Sequence, residues 1–192
     1  MLRPFLLLFL LCAFSIPLCA HAEGVGQKMR TRFALHKEHE LGHHTELSLK
    51  FIPADDIRRS NASIVVMGIK KHVTSWMSAE SAIGWTSANN EPLVEVSLIA
   101  RHASLWASLT YELCPKSMHG YWFVQGEYAL RDNWLYAGLE HESWGSYAHH
   151  TPWSLHTGPN LIFRFKSIEF DLALHTDNNF ATEMVTRIHL FL

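Results

Sequence analysis

His141 and Ser143 stand two residues apart in the segment Leu139-Glu140-His141-Glu142-Ser143-Trp144-Gly145. A neutral imidazole that takes the proton of a hydroxyl turns a weak alcohol into a nucleophile for an ester carbonyl. That chemistry needs both side chains on one face of one element. On an extended strand, residues two apart share a face, with Cα atoms roughly 6 to 7 Å apart. A second group of reactive types is His36, His39, His43 and His44, interleaved with Glu38, Glu40 and Glu46. Neutral imidazole and carboxylate suit zinc or nickel. A solvated polar terminus is the simpler reading of that group.

The elements that must carry these residues alternate with a period of two from about residue 44 onward, which is the spacing of two-faced strands. Met77, Ala79, Ser81, Ile83 and Trp85 share one face, and Val94, Val96, Leu98 and Ala100 oppose Glu95, Ser97 and Arg101. Leu135, Ala137 and Leu139 share a face that continues in the same parity to His141 and Ser143, while Glu140 and Glu142 point the other way. Strands are expected near 44–53, 61–72, 76–86, 92–102, 104–114, 119–130, 132–143, 159–166, 168–176 and 180–192. Residues 29–41 are open between an extra strand, a short helix and part of a long first strand. The expectation is an all-β antiparallel transmembrane β-barrel of 10 strands, with 8 to 12 admitted, and an even count places both termini on the periplasmic side.

Breaks are short at 102–103, 131–132 and 166–167, and longer and more polar at 53–61, 86–92, 114–120 and 144–158, the outer-membrane pattern of tight periplasmic turns and longer outer loops. Trp85, Tyr111 and Tyr121 fall near loop-side strand ends, where an aromatic girdle is expected. Glu80, Glu95, Arg101, Glu112, Glu127, Glu140, Arg164, Asp171 and Arg187 are expected to pair across a lumen too narrow for a channel. The rival is a soluble periplasmic barrel with the apolar side turned inward, since periodicity does not distinguish inside from outside.

Export is read from the N-terminus: Arg3, an apolar run from Phe5 to Phe14, Pro17, and the small-residue pattern Ala20-His21-Ala22 form a signal peptide over 1–22. A lipoprotein cysteine at Cys19 is the weaker alternative, because Leu18 before it is large. Cleavage after Ala22 leaves a barrel domain at 23–192 with Cys114 as its single cysteine and no intramolecular disulfide. With a formal charge of −2 and no basic stripe, nucleic-acid binding has no support.

The last run, with Met184, Ile188, Leu190 and Leu192 on one face, resembles the closing strand of bacterial outer-membrane proteins. The segment His141-Glu142-Ser143-Trp144-Gly145 resembles the His-x-Ser signatures of outer-membrane phospholipase A and of the PagL-type lipid A deacylases. Both are barrels that hold a Ser and a His on the lipid-facing wall and cleave acyl esters. The resemblance implies Ser143 as nucleophile and His141 as general base. It nominates Asn160, in His156-Thr157-Gly158-Pro159-Asn160, to orient the imidazole, and the Gly145 N–H as oxyanion donor. Strand parity puts Asn160 on the face opposite His141 unless a bulge re-aims it, so Thr157 and His156 stay open for the third role. No cofactor is implied except that the phospholipase resemblance admits calcium, with Asp55, Asp56, Glu91 and Glu142 at the outer rim as donors. The expected substrate is a membrane phospholipid or the lipid A of lipopolysaccharide, with the oligomeric state left open. The alternative is a non-catalytic outer-membrane barrel with a structural or loop-mediated binding role.

Overall fold

A computed structural model describes residues 28–54, 62–131, 134–148 and 153–192. Residues 1–22, expected from the sequence to be a signal peptide and including Cys19, lie outside the described residues, as do Asp55, Asp56, His149 and His150. Within them the alternating runs form eleven strands: β1 (Lys28–Gly42), β2 (Thr45–Ala54), β3 (Ile64–His72), β4 (Met77–Thr86), β5 (Glu91–His102), β6 (Leu105–Cys114), β7 (His119–Arg131), β8 (Leu135–Ser146), β9 (Ser154–Phe165), β10 (Ile168–Asp177) and β11 (Thr182–Phe191). Each pairs antiparallel with the next, and the sheet closes into a barrel.

The strand count is one above the expected ten, because residues 28–42 form a full strand of their own. An odd number of consecutively antiparallel strands leaves the first and last running the same way. Closure is therefore parallel, from Lys28 opposite Glu183 to His36 opposite Phe191. Lys28 and Leu192 consequently lie toward opposite ends of the barrel, which corrects the expectation of both termini on one side.

One rim carries the two-residue connections at 43–44, 103–104 and 166–167 together with 73–76 and 132–134, and the other carries 55–63, 87–90, 115–118, 147–153 and 178–181. In the first turn, His43 and His44 both have positive φ (52° and 60°), the geometry of a two-residue hairpin turn. His39, His43 and His44 are exposed there, whereas the His36 ring stacks on His189, with Nε2 3.0 Å from Nδ1. The four histidines do not converge. The predicted 144–158 loop is shorter than expected, because β8 runs to Ser146 and β9 begins at Ser154.

Alternation gives the wall two unlike faces. Outward stand Leu49, Phe51, Val65, Met67, Ile69, Ile83, Val94, Val96, Leu98, Val124, Leu139, Leu161 and Leu174, all exposed. Inward stand Glu95, Gln125, Glu127, Glu140, Glu142, Asp171, His175 and Arg187, all buried. Part of the expected pairing is present, whereas Arg101 is exposed, Glu80 accepts from Ser48 and Glu127 accepts from Asn160. Lys50 bonds Glu95, Arg164 bonds Glu169, and Arg187 bonds Glu142, Glu140 and Asp171, the last two at 2.8 Å. Among the described residues the lumen includes a cavity of about 560 Å³ at the long-loop end and one of about 460 Å³ at the tight-turn end, with Arg32, Ile52, Glu112 and Tyr121 in the walls of both. Tyr121 is therefore a lumen residue, which corrects its expected place among the outer-face aromatics, and its neighbour Trp122 faces outward instead.

Candidate active site on the barrel wall

Strand β8 presents Leu135, Ala137, Leu139, His141, Ser143 and Gly145 to the outside, so His141 and Ser143 sit where the apolar outer wall meets the long-loop rim. Directly across the ladder, His141 lies between Val124 of β7 and Thr157 of β9, and Ser143 between Trp122 and Leu155. Those two larger neighbours leave Ser143 only 6% exposed. His141 Nδ1 lies 2.7 Å from Thr157 Oγ1, which holds the ring at one nitrogen and leaves Nε2 for another task. No hydrogen bond joins His141 to Ser143 in the structure.

An aromatic group closes over the rim end of this wall. The Tyr111 and Trp122 rings are 4.4 Å apart, Tyr111 donates its hydroxyl to Tyr147 Oη at 3.3 Å, and Tyr147 meets Trp153 edge-on at 5.1 Å. Trp153 lies against Gly145 so closely that a Cβ there would be 2.9 Å from Trp153 Cγ. Only a glycine leaves that indole in place over the strand.

Two of the residues implied by the resemblance are not brought to the pair. The β8–β9 register runs without a bulge from Trp144–Ser154 to Leu135–Phe163, so parity is unbroken through Gly158-Pro159 and Asn160 points into the lumen. There its Nδ2 donates to Glu127 Oε1 at 3.1 Å. Thr157, on the outer face, is the residue that meets the His141 ring, while His156 faces inward beneath Trp144 with ring centroids 4.4 Å apart. The Gly145 amide is also committed. Tyr147 N–H donates to Met118 O, and the alternation of an antiparallel ladder then directs the 145, 143 and 141 amides to β7, Gly145 facing Gly120.

Of the four proposed rim calcium donors, Asp55 and Asp56 lie outside the described residues, and Glu91 and Glu142 are each engaged elsewhere. Glu91 on β5 accepts from the Ser117 amide at 2.9 Å, and Glu142 on β8 is held by Arg30 and Arg187. Sequence parity missed a lumen trio of His156, His175 and Glu183 on β9, β10 and β11, whose donor atoms lie within 4.8 Å of one another. Reading 144–158 as loop hid His156. Extending the Asn160 parity back by four residues was the signal that could have found it.

No protein-family model, curated protein or solved structure matches the chain.

Proposed function

We propose that this protein is an outer-membrane barrel that hydrolyses an acyl ester of a membrane lipid, lipid A or phospholipid, at Ser143 and His141 on its lipid-facing wall. The observation that carries the reading is the His141–Thr157 contact on the outer face beside Ser143. The outward apolar wall around a charged interior supports the membrane setting, because a soluble barrel turns its apolar face inward. With a proton on Nδ1 donated to Thr157 Oγ1, His141 Nε2 is the base. A side-chain rotation brings the Ser143 hydroxyl to it as lipid enters, its proton passes to Nε2, and the oxygen attacks the ester carbonyl. The C–O bond to the alcohol portion breaks, the imidazolium returns the proton to that leaving oxygen, and the acyl group rests on Ser143. Water, deprotonated by the same imidazole, then attacks the acyl carbon, and the imidazolium returns that proton to Ser143 Oγ as the fatty acid leaves. Tyr111, Trp122, Tyr147 and Trp153 supply an apolar bed for an acyl chain arriving from the side.

Two measurements test this. Heat-modified migration on a denaturing gel and extraction only with detergent are expected, and free release by osmotic shock would refute the membrane setting. Lipid A and phospholipids from cells expressing the protein should lack an acyl chain that is kept with Ser143→Ala or His141→Ala, and the class that changes names the substrate. Identical lipid profiles in all three leave the non-catalytic barrel.

A further inference from the structure

The lumen trio lies on the other side of the wall from Ser143, in the half of the barrel facing the long loops. His156 and Glu183 line the cavity of about 560 Å³, and His175 sits beside them on the intervening strand. All three are buried, at 8%, 4% and 0% exposure. Each imidazole makes a hydrogen bond at one nitrogen only. His175 Nε2 lies 2.5 Å from Glu140 Oε1, and His156 Nε2 lies 3.0 Å from Ser154 Oγ. The opposite nitrogen, Nδ1 in both rings, is buried without a hydrogen-bond partner. Two such atoms in one place are unusual, because buried polar atoms are ordinarily paired.

We propose that His156, His175 and Glu183 bind a divalent transition metal of the zinc class, reached from the long-loop cavity. His156 Nδ1 lies 3.5 Å from Glu183 Oε2, close to the edge of about 3.4 Å for a tetrahedron built on metal–ligand bonds of about 2.1 Å. The third donor lies within 4.8 Å of both and has to close by up to about 1.4 Å to complete that face. Nitrogen donors select a borderline cation over calcium or magnesium. A ligating histidine whose other nitrogen is held by a carboxylate or hydroxyl is oriented for the metal, as Glu140 and Ser154 orient these two. The fourth position opens to the cavity and takes water. Glu183 is also approached by Arg30 Nε at 3.8 Å, and the same guanidinium bonds Glu142, which can keep it when the metal takes Glu183.

The metal links three consecutive strands, β9, β10 and β11, the last of which forms the parallel seam with β1. At this point β9 and β10 come so close that a Cβ on Gly158 would be 1.7 Å from the Leu174 carbonyl oxygen and 3.1 Å from His175 Cα. Glycine is what lets His175 reach the trio.

The test is a calorimetric Zn²⁺ titration of the untagged, detergent-extracted protein after chelation, with metal content measured in parallel. One equivalent is expected for the natural protein and for a His39→Ala/His43→Ala/His44→Ala variant that removes the exposed hairpin histidines. His156→Asn and Glu183→Gln should weaken binding at least about 100-fold while keeping the heat-modified migration of a folded barrel. Excess Ca²⁺ should not displace zinc. Absence of stoichiometric uptake, uptake unchanged in both site variants, or uptake lost with the hairpin histidines overturns the proposal. Should neither site variant fold, Co²⁺ in the natural protein decides: strong visible bands of a four-coordinate ion support the site, and the weak bands of an octahedral aquo ion refute it.

Discussion

Ser143 and His141 share a face because they are two residues apart on a strand, and Ser143 is buried because its cross-strand neighbours are Trp122 and Leu155. The third member is where local pattern and pairing part. Asn160 has the side chain expected of an orienting residue, yet it bonds Glu127 inside the lumen, while the hydroxyl of Thr157 meets the imidazole. The two make opposite predictions. Thr157→Val should lower kcat on the lipid ester about 10- to 100-fold, with KM little changed and recovery in Thr157→Ser, as expected when a catalytic group is displaced rather than removed. Asn160→Ala should leave kcat unchanged and cost about 1 to 3 kcal/mol in urea unfolding, because Glu127 loses its buried donor. Fatty-acid release followed by mass spectrometry reads the first effect; loss of activity in Asn160→Ala with normal stability would reinstate the asparagine.

Strand β9 decides what the neighbouring elements can do. Pro159 has no N–H for the ladder, and the β9–β10 pairing passes from Ala173–Asn160 to Thr176–Thr157 across it. The preceding Gly158 lets the two backbones approach where a side chain would meet the Leu174 carbonyl. Gly158→Ala should therefore force β9 and β10 apart, costing about 1 to 3 kcal/mol or more by overpacking. The expected readout is a weakened or absent folded band on an unheated gel. An unchanged unfolding midpoint would mean that the close approach is not needed. Strand β1 shows a different limit of local reading: its histidines and glutamates blur the apolar alternation near the turn, yet the chain from Lys28 to Gly42 pairs with both β2 and β11.

Among the described residues the buried ion pairs lie inside the barrel, beside a small apolar cluster of Val66, Ala82, Leu93 and Cys114, and the large exposed apolar side chains line the outer wall. Arg187 stands at the centre of the inner network, bonded to Glu140, Glu142 and Asp171. Arg187→Met should cost about 3 to 5 kcal/mol, because carboxylates remain buried without their counter-charge. On the outer wall, Val96 stands in the middle of β5 and is 45% exposed. Val96→Arg should cost about 2 to 4 kcal/mol in a bilayer, as a charge at mid-depth on a lipid face does. Measured by denaturant unfolding from lipid vesicles, a negligible cost at Val96 would argue against a membrane around this wall.

Alternation along single runs was enough to establish strands with an apolar and a polar face, most of their boundaries, and the shared face of His141 and Ser143. These are properties of consecutive residues, set by the two-residue repeat of an extended backbone. Tertiary structure alone decided that the apolar face turns outward, that eleven strands close through a parallel pair, and that Thr157 rather than Asn160 meets His141. It also brought His156, His175 and Glu183 together. Each of these depends on the direction in which the sheet curves or on the register between strands, and a period of two reads the same whichever face encloses the lumen.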